Sequence, residues 1–91
     1  MYTIKKLTNV GNPDFRQDPT RLLPGTQEYT NVSRETVDAL RAAVSTYINS
    51  NELGGGNFIS PVVFKDNKPI GYISYNLRFW ETDEIPEYCA Q

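Results

Sequence analysis

The chain has 91 residues, with nine Lys and Arg against eleven Asp and Glu and a formal net charge of −2. That length is one domain with a thin margin of stability, burying roughly 60–65% of the surface its unfolded chain exposes. A single cysteine, Cys89, excludes an intramolecular disulfide; the absence of histidine excludes Ser-His-Asp and Cys-His mechanisms and removes a common zinc ligand.

The first ten residues, MYTIKKLTNV, alternate weakly and predict a short strand at a sheet edge, where paired lysines discourage unwanted strand addition. They lack the apolar centre of a secretory signal, and the longest charge-free run, residues 53–64, carries three glycines and a proline. The expected location is therefore the cytoplasm, with no membrane span. Residues 11–32 follow, punctuated by Pro13, Pro19, Pro24, Gly11 and Gly25 and without a period of 2 or 3.6. They predict a long irregular loop with one helical turn after Pro19.

The next element is an amphipathic helix. Val37, Leu40, Val44, Tyr47 and Ile48 recur at helical spacing, with Ala43 beside them. Ser33 is the expected N-cap, and Val32 and Val37 have the spacing of a hydrophobic staple. The helix is expected to stop at the glycine run of NELGGGNF, residues 51–58, with Gly54 in the left-handed cap position. A phosphate-cradling glycine loop stands before a helix, at the positive end of its dipole. These glycines follow one, and the Lys-Ser/Thr of a P-loop is missing.

Two strands are expected next: residues 58–65, and residues 70–80 after the turn Asp66-Asn67-Lys68-Pro69. The predicted class is α+β: a small antiparallel sheet in the order β-α-β-β, one amphipathic helix packed on one face, and a long N-terminal loop. The predicted domain is residues 1–80, with residues 81–91 as an acidic C-terminal tail.

Alternation over 70–80 assigns Gly71, Ile73, Tyr75, Leu77 and Phe79 to the core face. It assigns Ile70, Tyr72, Ser74, Asn76, Arg78 and Trp80 to the other. Tyr, Arg and Trp dominate binding hot spots, so Tyr72, Asn76, Arg78 and Trp80 are the expected interaction residues. What covers this face is either a partner or the 11–32 loop, through Phe15 or Leu22 on Tyr72. All nine bases lie in residues 1–80 with seven acids, whereas the tail has Glu81, Asp83, Glu84 and Glu87 and no base. A near-neutral body with an acidic end argues against nucleic acid as the partner. The tail carboxylates either serve solubility or meet a basic groove on another protein, and their spacing is not that of a calcium loop. Cys89, among carboxylates, is expected to be a surface thiol of low reactivity that dimerises on oxidation.

The segment PVVFKDNKPIGYISYN, residues 61–76, resembles the β-hairpin of the GNAT family of acetyltransferases. The resemblance covers 16 of 91 residues and implies the hairpin alone, because the pyrophosphate loop [QR]-x-x-G-x-[GA] of those enzymes is absent. No catalytic residue, metal or cofactor is assigned. The expected function is a small non-enzymatic interaction protein of inhibitor, adaptor or subunit type, phage-encoded inhibitors being one such class, that binds a protein partner or itself. The alternative is a small-molecule binder whose pocket lies between the open sheet face and the 11–32 loop, with Ser74 and Arg78 fixing a polar or anionic ligand.

Overall fold

A computed structural model describes all 91 residues, Met1–Gln91. The elements are β1 (Tyr2–Leu7), a single 3-10 turn (Pro13–Phe15), β2 (Tyr29–Arg34), α1 (Val37–Ser50), β3 (Val62–Lys65), β4 (Lys68–Ile73) and β5 (Phe79–Glu81). The strands form one open sheet in the order β2-β1-β3-β4-β5, with every neighbouring pair antiparallel. With its single helix, the fold is α+β. No helix is long and apolar enough to cross a membrane.

Two strands were not expected from the sequence. The first is β2, cut from the end of the loop. Tyr29, Thr30 and Val32 favour extended backbone, and each finds a partner on β1: Leu7, Lys6 and Ile4. Ser33 is therefore not the helix cap. Its Oγ lies 2.8 Å from Thr3 Oγ1 across the sheet, and the cap is Thr36, whose Oγ1 accepts from the Ala39 N–H at 3.1 Å. Because β2 takes the edge, β1 lies inside the sheet.

The second is β5. The segment expected as one strand over 70–80 breaks after Ile73, where the Leu77 N–H donates to the Ser74 carbonyl (2.8 Å) and the Ser74 N–H to the Arg78 carbonyl (3.0 Å). Leu77 takes the left-handed conformation (φ 68). The chain then returns with Trp80 opposite Tyr72.

Helix α1 behaves as its periodicity predicts: Leu40, Val44, Tyr47 and Ile48 are buried. They pack with Ile4, Leu7, Leu53, Phe58, Val63 and Ile73 in one core. Burying each large apolar side chain is worth about 1.5–3 kcal/mol. The helix stops earlier than Gly54. Glu52 takes the left-handed position (φ 52), the Leu53 N–H reaches back to the Ile48 carbonyl (3.0 Å) and the Glu52 N–H to that of Asn49 (3.3 Å). That is a Schellman closure, with buried Leu53 as its apolar contact. The β3–β4 hairpin turns on Asp66 and Asn67, both at positive φ (51 and 67), the pair a type I′ turn needs.

The stretch between β1 and β2 is irregular but ordered by buried amides. Asn9 is fully buried. Its Nδ2 donates to Tyr47 Oη (2.9 Å) and Thr26 Oγ1 (3.1 Å), and its Oδ1 accepts from the Leu23 N–H (3.0 Å). Asn57 acts likewise, donating to the Val10 carbonyl (3.0 Å) and Gln17 Oε1 (2.9 Å). The helical turn falls at Pro13–Phe15, capped by Asn12, rather than after Pro19.

The C-terminus is not a free tail. Glu81 belongs to β5, and residues 85–90 fold back onto the sheet at Val62, Phe64 and Tyr72. The Val62 N–H donates to the Ala90 carbonyl and the Ala90 N–H to the Ser60 carbonyl, both at 2.9 Å. Cys89 is buried with Val62 and Phe64, flanked by Tyr72 and Ile85, so the expected surface thiol is a core residue.

Burial pushes the Cys89 thiol above its ordinary value, and burial does the same, as the leading cause, for the Tyr47 phenol. A folded-state value raised in this way means that the unfolded chain loses its proton first as pH rises. The associated stability is complete below the unfolded value, about 8.5 for cysteine and 10 for tyrosine, and is lost as pH climbs through the folded values. Urea denaturation of the wild type should therefore show little change through neutral pH and a decline above about pH 8.5. Cys89→Ala should decline less between there and about pH 10; parallel curves would mean that the thiol is open to solvent in the folded protein.

Candidate functional site

The sheet face opposite α1 carries the expected interaction residues, and the turn after β4 sorts them into two groups. Tyr72 and Trp80 are direct cross-strand partners. Their rings lie nearly parallel (14°) with centroids 6.3 Å apart, an arrangement worth about 0.5–1.5 kcal/mol beyond area burial. Arg78 joins them, its Cζ 3.9 Å from the Trp80 ring centroid, a cation–π contact of about 0.5–1 kcal/mol at an exposed site.

Ser74 and Asn76 are committed to the turn. The Trp80 indole N–H donates to Ser74 Oγ at 3.1 Å, the Ser74 hydroxyl donates to Asn76 Oδ1, and the Arg78 N–H donates to the same oxygen at 3.1 Å. Both side chains therefore hold Trp80 and Arg78 in place and have few groups left for a ligand.

Sequence reasoning missed Tyr88. The returning C-terminal segment sets its ring against Tyr72, centroids 6.3 Å apart and nearly perpendicular (85°). Its phenol, followed by partial burial, pushes the Tyr72 phenol above its ordinary value. The only available signal was the apolar content of IPEYCA, residues 85–90, within an acidic stretch. The result is a row, Arg78–Trp80–Tyr72–Tyr88, in which Trp80 is 37% and Tyr88 66% exposed.

The other half of this face is covered by the C-terminal segment and not by the loop. Phe15 is 74% exposed, Leu22 is exposed, and Leu23 packs on the helix-side core. The loop is fastened to Tyr47 and Asn57, near the C-terminal end of α1 and the glycine turn. Ser74 and Arg78, expected to line a pocket between this sheet face and the loop, line neither of two concave regions on the molecule. These two regions have volumes of about 490 Å³ each. One is a groove between β2 and α1. The other is a recess bounded by Tyr2, Lys65, Pro69, Ile70 and residues 81–83.

The carboxylates of Glu81, Asp83, Glu84 and Glu87 do not converge into a metal-holding group. They are exposed and make no ion pair.

No family model, curated protein or solved structure matches this chain. The resemblance to the GNAT family stays confined to the β3–β4 hairpin, and β4 leads into β5 rather than into a helix whose N-terminus would hold a pyrophosphate.

Proposed function

We propose that this chain is a small, non-enzymatic cytoplasmic protein of inhibitor, adaptor or subunit type that binds a protein partner through the Arg78–Trp80–Tyr72–Tyr88 row. The observation that carries this reading is the exposed, prearranged Trp80. Its ring is held by Tyr72 and Arg78 and its N–H by Ser74, so little side-chain freedom is left to lose on binding. The exposed carboxylates of Glu81, Asp83, Glu84 and Glu87 favour a partner that is basic, because charge complementarity raises the association rate.

The test is an affinity pull-down from source-cell lysate with wild type, Trp80→Ala and Arg78→Ala. A stoichiometric protein retained by wild type and lost by both variants is expected, with Trp80→Ala weakening the purified complex by about 2 kcal/mol or more. A change below about 0.5 kcal/mol would remove this face as the binding surface. Recovery of a second copy of the chain in place of a partner would make the face a self-association surface.

A further inference from the structure

We propose that the outer edge of β2 and the flank of α1 form a second binding site, which takes an extended polypeptide segment bearing an acidic side chain as an added sixth strand. This site lies at the opposite edge of the sheet from β5 and does not depend on the Trp80 surface.

Three observations converge. First, β2 pairs only with β1, so the backbone groups on its outer side have no sheet partner. An open edge of this kind is what strand addition uses, with main-chain hydrogen bonds giving affinity and neighbouring pockets giving side-chain selectivity. Second, a groove of about 490 Å³ runs beside that edge, between β2 and the α1 stripe Ala43, Thr46, Tyr47 and Ser50. The volume falls in the ~300–1,000 Å³ range of binding sites. Ala43 to Ser50 spans about 10 Å of helix, room for roughly three residues of extended chain.

Third, charge selects the occupant. Arg34 is the one charged residue lining the groove. It makes no ion pair, and one guanidinium N–H donates to its own strand's Ser33 carbonyl at 2.8 Å. The nearby acids do not neutralise it. Glu28 accepts from Thr8 Oγ1, Asp38 pairs with Arg41, and Glu35 forms no ion pair. A guanidinium with free donors in a groove lined by both apolar and neutral polar side chains matches a carboxylate.

A second copy fits less well. Its β2 has no acidic residue to meet Arg34.

The experiment selects a displayed random nonapeptide library on wild type, Arg34→Glu and Thr46→Trp. Both residues are exposed, and circular dichroism with thermal melting checks that the variants fold. Wild type should enrich peptides with alternating apolar residues and an acid at a fixed offset. The synthesised winner should lose about tenfold or more in affinity on each variant and slow amide exchange along β2. Replacing its acid by lysine should weaken binding to wild type and restore it to Arg34→Glu. The proposal is overturned if wild type enriches nothing over Thr46→Trp, or if the winner binds Thr46→Trp as tightly. It also falls if sedimentation shows a dimer that Thr46→Trp abolishes, since the occupant would then be a second copy.

Discussion

Gly71→Ala should destabilise the protein by about 3 kcal/mol or more, one of the largest losses expected from removing or adding a single methyl here. Gly71 sits in β4 opposite Glu81, beside the register shift where Val63 faces Gly71 but Phe64 faces Pro69. A Cβ at this position would lie 2.1 Å from the Trp80 carbonyl oxygen and 2.9 Å from Phe79 Cε1. The first of these is backbone and cannot rotate away. Relief requires opening the β4–β5 ladder, and β5 is only three residues long. A glycine inside a strand commonly marks such a close approach.

For a domain of this size the loss corresponds to a fall of about 12–24 °C in melting midpoint. The same displacement moves the Trp80 ring off Tyr72, so tryptophan emission of the folded variant should shift to the red. A loss below about 1 kcal/mol, with unchanged emission, would mean that β5 does not pack against β4 as described.

Asn9→Ala is expected to cost about 2–4 kcal/mol, because the truncation strips hydrogen-bond partners from buried and half-buried polar groups. The Leu23 N–H loses its acceptor, and Tyr47 Oη and Thr26 Oγ1 lose a shared donor. Each buried polar group left unsatisfied costs about 1–3 kcal/mol. The damage should be local as well as global. Amide exchange should accelerate through residues 9–28 while β3 and β4 stay protected, since Asn9 ties that stretch to α1 through Tyr47, whose hydroxyl in turn donates to the Gln27 carbonyl at 2.6 Å. Tyr47→Phe removes part of the same network, and the double variant should lose less than the two singles together. Strict additivity, or a cost for Asn9→Ala below about 1 kcal/mol, would show that other contacts order the loop.

The aromatic row was legible residue by residue but not as a site. Tyr72, Arg78 and Trp80 stand out by type and alternate along the chain, and the structure does bring them together. The grouping arises differently from a continuous strand: Tyr72 and Trp80 meet across a hairpin, and Ser74 and Asn76 face into its turn. Period-2 alternation survives a two-strand fold of this kind, so the pattern alone does not reveal the break. Tyr88 comes from a segment whose charge reads as solvated, and the covered Cys89 comes with it.

What the sequence by itself determined was whatever local spacing and side-chain type control. The apolar stripe of α1, the Asp66-Asn67 turn and the α+β class follow from period, propensity and turn chemistry within about a dozen residues. Tertiary structure decided the rest. β2 exists because Tyr29, Thr30 and Val32 meet β1 more than twenty residues earlier in the chain, and the loop is ordered because two asparagines find buried partners across the fold. The C-terminal segment covers Val62 and Phe64 because an apolar sheet face stands open to it. Non-local pairing and burial leave no periodic trace in the segments that supply them, and only the folded chain brings those segments together.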